Sequence, residues 1–175
     1  ISMTDPRVWT PQELKADAAE ATAIFRAQRL DEPLELYSEF FQAFIPIFND
    51  IIGLLPDLSV PDVAPETVVG LVRDGDIRTA FRYLAAPPIS EDDLKTLADT
   101  TLSASALRND PEQARRVRDI VLHIIDPHRF PWVAEQRAPS AHEREQAVVA
   151  SAALVAARKV ETSRRSDAKQ AQEDQ

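Results

Sequence analysis

The 175-residue chain has no cysteine and three glycines. Without cysteine there is no disulfide framework and no thiolate metal centre. The same absence fits a reducing compartment, so a cytoplasmic location is expected. Gly53, Gly70 and Gly75 each stand alone, which excludes glycine-rich phosphate loops and tight hairpin turns. The first residues hold no basic stretch followed by an apolar one, so no signal peptide is expected. The most apolar stretch, "FFQAFIPIFNDIIGLLP" (40–56), is interrupted by Gln42, Pro46, Asn49 and Asp50. No run reaches the ~18 apolar residues that span a bilayer, and no membrane partner is expected. Residues 1–3 read as a cloning remnant and a start methionine.

What is present is proline and acid. There are 13 prolines, and the formal net charge is −9. The charge is uneven: residues 1–110 hold 19 acids and 9 bases, whereas 111–175 hold 10 acids and 11 bases. Only the C-terminal third does not repel a polyanion. Ordinary scatter of surface charge on helices explains the same numbers.

No window alternates apolar and polar residues between turns, so the fold class is all-α: a compact multi-helix bundle with Pro-rich connectors. Thr10-Pro11-Gln12-Glu13 is a capping box with proline at the first helical position. It opens a helix to about Arg29, carrying Leu14, Ala18, Ala21 and Phe25 on one face. Asp31-Glu32-Pro33 starts the next, whose stripe is Leu34, Tyr37, Phe41, Phe44, Ile45, Phe48 and Ile52. Pro46 falls inside it and predicts a kink or a break. "PDLSVPDVAPE" (56–66) reads as a connector. Short helices are expected at about 66–73 and 76–85. Ser90 caps a helix bearing Leu94, Leu97 and Ala98. Asp110-Pro111 starts another, with Val117, Ile120, Val121 and Ile124 inward. Ser140-Ala141-His142-Glu143 is a second capping box, opening an Ala-rich helix to about Lys159.

No motif is a complete active site. Asp93-Leu94-Lys95 spells half of a nuclease metal motif, in which an acid binds the metal and a lysine positions water. That chemistry uses a strand, where i and i+2 share a side; here the triplet opens a helix and diverges by ~200°. Glu91, Asp92 and Asp93 are also the charges a helix N-terminus favours. His123, Asp126 and His128 are metal-binding types at a spacing that matches no helical ligand pair. No histidine stands near a strained Gly-Ser turn, so a nucleophile–base pair is missing. Catalytic residues and metal ligands are both expected to be none. Phe130 and Trp132 in "DPHRFPWV" (126–133) read as a core plug, or alternatively as a stacking surface.

The densest basic cluster is at the end: Arg158, Lys159, Arg164, Arg165 and Lys169, with Thr162 and Ser163 between them. Arg, Lys, Ser and Thr are the usual phosphate-contacting types. A helix C-terminus explains Arg158 and Lys159 on structural grounds. A second helix starting near Ser163 or Ser166 would put Arg164 and Arg165 at a positive pole, which invites an anion. The candidate DNA-binding residues are therefore Arg158, Lys159, Ser163, Arg164, Arg165 and Lys169.

Three separated segments then fall in a familiar order. "FRYLAAPPISEDDLKTLA" (81–98), "DPHRFPWV" (126–133) and "ASAALVAARKVETSRRSDAKQAQE" (150–173) resemble the N-terminal region of XamI-type restriction endonucleases. The resemblance runs from about Trp9 to the last residue. It implies a bacterial type II enzyme that cuts double-stranded DNA with Mg²⁺, as part of a restriction-modification system. It implies that the metal-binding acids and lysine lie in a mixed sheet beyond this chain, so no catalytic residue carries over and this chain holds no cofactor of its own. It allows a homodimer. On that reading residues 4–160 are a helical N-terminal domain, and 161–175 a basic segment leading into the catalytic domain. Two other readings fit the residues alone: a non-enzymatic helical interaction module with an acidic docking half, and a helical DNA-binding regulator.

Overall fold

The computed structural model describes residue 6 and residues 8–174. The reading of residues 1–3 lies outside them. Among the described residues the chain is helical throughout: α1 (Pro11–Arg26), a π-helical segment (Ala27–Asp31), α2 (Glu32–Leu58), α3 (Pro65–Val72), α4 (Gly75–Arg82), α5 (Glu91–Ala98), α6 (Ala104–Asn109), α7 (Pro111–His123), α8 (Pro131–Ala134) and α9 (Ala141–Glu173). The one β-type pairing among them is an isolated antiparallel bridge between Ala85 and Ile125. The all-α expectation holds.

Both capping boxes form. Thr10 and Glu13 exchange hydrogen bonds at 2.9 and 3.1 Å, and so do Ser140 and Glu143 at 3.0 and 3.1 Å. Each satisfies two of the backbone donors a helix start leaves open. Ser90, Ser103 and Asp110 cap α5, α6 and α7 in the same way with one side chain.

Several boundaries differ from the pattern. No break separates α1 from α2; the π segment joins them, and Asp31 makes no side-chain cap. Of the kink or break expected at Pro46, the break does not occur: α2 continues through both Pro46 and Pro56 to Leu58. An interior proline costs ~3 kcal/mol. Six buried side chains offset it: Phe44, Phe48, Ile51, Ile52, Leu55 and Leu58, each worth ~1.5–3 kcal/mol. Both prolines are exposed, and Gln42, whose carbonyl Pro46 leaves free, is exposed to water as well. The joined stretch Pro11–Leu58 thus contains an 18-residue window of mean hydropathy 1.2, long and apolar enough by composition to cross a membrane. A third of that window is buried within the bundle itself.

α2 and α9 form the spine. Arg144 donates to the Asn49 carbonyl at 3.1 Å, and its guanidinium lies over Gly53, where a Cβ would stand 3.0 Å away. Further along, Lys159 reaches the rings of Phe40 and Phe44. Rising numbers on α9 meet falling numbers on α2, so the pair is antiparallel. Ala147, Val148, Ser151, Ala152, Val155 and Ala156 make the buried face of α9, and these small residues let the axes approach closely. α3 to α8 close the core around Phe81, Leu84, Leu94, Leu107, Val117 and Trp132.

The inward faces are mostly those the spacing predicts. Leu97 is an exception, at 63% exposed, and Leu34 is 62% exposed. Ile120 and Ile124 are half-buried. α6 has no signal long enough to read. Arg118 is buried, donating to the Val60 and Pro61 carbonyls at 2.9 and 3.4 Å, which pins the proline-rich connector. α9 does not end near Lys159; it runs unbroken to Glu173. No second helix starts at Ser163 or Ser166, so Arg164 and Arg165 stand at no positive pole.

Phe44→Ala and Phe48→Ala should each destabilise the chain by ~3–5 kcal/mol in urea unfolding. Phe25→Ala, on a helix with no buried residue, should leave the midpoint unchanged within error.

Candidate nucleic-acid interface

All six candidate residues sit on one helix, α9, and they do not share one environment. Arg158, Thr162, Arg165 and Lys169 recur at steps of four, three and four, so they lie on one exposed stripe. Two acids interleave with it. Glu161 is 3.5 Å from Arg165, and Glu173 is 4.0 Å from Lys169. These pairs are solvent-facing, and exposed pairs of this kind are worth ~0–1 kcal/mol, so a phosphate can displace them. Among the described residues no carboxylate pairs with Arg158 or Arg164.

Lys159 is differently occupied. Its ammonium lies 5.5 Å from the Phe40 ring centroid, 5.6 Å from that of Phe44, and 3.7 Å from Asp76 Oδ1. Cation–π attraction and an acid hold it against the α2 and α4 side of the bundle.

Ser163, Arg164 and Arg165 line a groove of about 710 Å³ between α9 and the π segment with the start of α2. The opposite wall carries Gln28, Arg29 and Glu32. Arg29, over the Phe25 ring at 5.7 Å, joins the two arginines from a distant part of the chain. Nothing near it in sequence marks it; only the antiparallel spine brings it here. Three acids, Glu32, Glu161 and Asp167, line the same groove, so its charge is balanced.

The other candidates resolve as structural. Asp93 opens α5, and its amide donates to the Ser90 hydroxyl at 3.1 Å. Lys95 turns to Glu91 at 3.7 Å. His123 and His128 are exposed, and Asp126 faces Arg129. Among the described residues no cluster of histidines and carboxylates converges to hold a metal. His142 is exposed in the first turn of α9.

"DPHRFPWV" is a core plug, held by a residue its apolar neighbours conceal. Phe130 and Trp132 are buried and meet edge-to-face at 5.7 Å. Between them and Asp126, Arg129 gathers four partners. It donates to Asp126 Oδ2 at 2.7 Å, Ser151 Oγ at 2.9 Å, the Tyr83 carbonyl at 2.7 Å and the Ala85 carbonyl at 3.5 Å. Burial pushes the Asp126 carboxyl up. The Arg129 hydrogen bond, the amides of His128 and Arg129, and the nearby positive charge outweigh it and leave the pKa lowered.

A model of the XamI restriction endonuclease family matches residues 62–175. The chain is also 37% identical over 172 residues to the type II restriction enzyme XamI of Xanthomonas campestris pv. amaranthicola. The chain belongs to the XamI restriction endonuclease family. The match covers 96% of this chain, which spans 61% of the relative's length. No solved structure matches. The family model takes in the connector after α2, the Arg129 knot and all of α9. It leaves α1, the π segment and α2 outside, although the alignment with XamI extends over nearly the whole chain.

The Arg129 and Asp126 side chains are 11% and 15% exposed, so Arg129→Ala should lower stability by less than the ~3–5 kcal/mol that breaking a fully buried, hydrogen-bonded ion pair costs. The lowered Asp126 pKa sets the sign of the pH dependence. Its contribution is complete above the ordinary aspartate range and is lost as pH falls through the lowered folded value. Asp126→Asn should flatten that acid limb in pH-resolved thermal melts.

Proposed function

We propose that this chain is the helical N-terminal part of a type II restriction enzyme that acts on double-stranded DNA. Family membership carries this reading, and the exposed cationic stripe Arg158–Arg165–Lys169 supports it. In this reading the bundle is a scaffold. α9 carries guanidinium and ammonium groups along about 16 Å of its axis to meet phosphates, at 1.5 Å per residue. Such contacts add affinity and orientation without reading sequence. Residues 161–175 pass into the catalytic part of a longer polypeptide, which works in the cytoplasm and pairs with a second copy.

Mg²⁺ belongs to the family's implied chemistry, and the residues of this chain do not fit it. Asp93 and Lys95 diverge at a helix start, and no acidic set converges elsewhere among the described residues. The nuclease step is therefore assigned to the longer polypeptide.

The 175-residue chain should not cleave plasmid DNA with Mg²⁺ or Mn²⁺; cleavage abolished by Asp93→Ala would contradict the assignment. The DNA role is tested by salt titration of binding in the longer polypeptide. In Arg158→Ala/Arg165→Ala, each phosphate-binding guanidinium removed should reduce the slope of log affinity against log salt by about one unit. Affinity should fall alike for cognate and non-cognate duplexes. Unchanged slopes would remove the DNA role from α9.

A further inference from the structure

The groove between α9 and the π segment holds donors that the bundle does not use. Arg29 lines one wall, and Arg164 and Arg165 line the other. Among the described residues no carboxylate pairs with Arg29 or Arg164, and Arg165 meets only Glu161, at 3.5 Å between exposed side chains. Gln28 and Ser163 add neutral donors, one on each wall. Arg165 belongs both to this groove and to the outer stripe of α9, so phosphates lying along the stripe lead to the groove.

The segment that carries Arg29 is itself uncommon. The Glu32 amide donates to the Ala27 carbonyl, five residues back, which makes Ala27–Asp31 a π turn between α1 and α2. Such turns are rare and recur at functional sites. None of its residues is buried, so core packing does not account for it. One turn earlier, the Phe25 ring lies under the Arg29 guanidinium at 5.7 Å. That ring is 58% exposed, and cation–π attraction rather than burial is its use there. Glu32, Glu161 and Asp167 balance the formal charge of the groove, so it is no general sink for anions. Seating a phosphate depends instead on close guanidinium donors, whose charge-assisted bonds can be bidentate.

We infer that Arg29 is a further DNA-backbone contact, brought to the groove from the wall opposite Arg164, and that Phe25 is its positioning residue. This rests on the restriction-enzyme reading above. It extends the DNA-contacting surface from α9 to the N-terminal arm, outside the residues 62–175 that the family model matches. The ring holds the guanidinium in place before DNA arrives, so less side-chain freedom is lost on binding.

The test is a salt titration of duplex-oligonucleotide binding by the longer polypeptide. Arg29→Ala should reduce the slope of log affinity against log salt by about one unit, alike for cognate and non-cognate duplexes. Arg29→Lys keeps the charge and should restore the slope. Phe25→Leu should keep the slope and weaken binding about 2–5-fold at fixed salt, with Phe25→Tyr restoring it. Melting temperatures should stay close to wild type, since both side chains are exposed. Lys15→Ala, at an exposed base on the same arm outside the groove, should leave binding unchanged. A slope unchanged by Arg29→Ala but lowered by Arg158→Ala/Arg165→Ala would overturn the inference and leave the DNA role of α9 standing. An equal fall in Lys15→Ala would overturn it too, because net charge would then explain the effect. Slopes unchanged in every variant would remove both assignments. A fall in Arg29→Ala alone would support the inference and count against the stripe.

Discussion

Arg129 is the residue on which the geometry of the rest depends. It is the one side chain that joins the end of α4, the turn before α8 and the middle of α9. Its guanidinium fits that task because it presents five donors in a rigid plane and stays charged when buried. Asp126 neutralises it, the Tyr83 and Ala85 carbonyls take two donor directions, and Ser151 takes a third. The backbone pairs alongside: Ala86 donates to the Ile124 carbonyl and Asp126 to the Leu84 carbonyl, both at 2.9 Å. Together with Arg144 on the Asn49 carbonyl and Lys159 on Asp76, this knot fixes the rotation of α9 about its own axis. The small residues of its buried face would tolerate sliding along α2. The direction in which Arg158, Arg165 and Lys169 point is set jointly from the Arg129 level, two turns away and more, and from the Lys159 contacts beside Arg158.

A second feature is how the chain uses its charge. Most arginines are consumed in holding the bundle together. Arg78 bonds Glu91 and the Val72 carbonyl, Arg116 the Ala98 carbonyl, and Arg118 the connector carbonyls. Arg137 bridges Glu135 and Glu143 beside the α9 capping box, and its hydrogen bond holds the Glu143 carboxyl down at about 2. Of the bases without such work, Arg158, Arg164, Arg165 and Lys169 lie on the last five turns of α9, while Lys15, Arg26 and Arg73 are exposed elsewhere. In a chain of net charge −9, the four on α9 are the densest exposed set a polyanion could meet, and screening limits their reach to ~8 Å at physiological salt.

The helices were legible because their ends are chemically marked. Thr10, Ser90, Asp110 and Ser140 each cap the helix the pattern assigns to them. Helix continuity was not legible. Pro46 carries a local stop signal that burial of the α2 core overrides, and the sequence around it says nothing about that burial; at Asp31-Glu32-Pro33, where no residue is buried, the π segment carries the helix across. The end of α9 misled for the converse reason: Ser163 and Ser166 resemble caps but lie inside a helix already propagating. At the candidate interface, the nearness of Arg158, Arg165 and Lys169 at the end of the chain could be read from charge density alone. The structural use of Lys159 could not, since Phe40, Phe44 and Asp76 lie far off in sequence. Arg29 and the Arg129 knot were hidden in the same way.

The central claim is that the outer stripe of α9 lies against DNA in the longer enzyme. Because the 175 residues hold no cysteine, a single introduced thiol here can be addressed cleanly if the remaining chain is kept thiol-free. A photoactivatable cross-linker placed through Arg158→Cys or Lys169→Cys should capture duplex DNA on illumination. The same probe at Asp57→Cys, an exposed site at the opposite end of the antiparallel α2–α9 spine, should not. Equal capture from all three sites, or none from the stripe while the enzyme remains bound to DNA, would contradict the account.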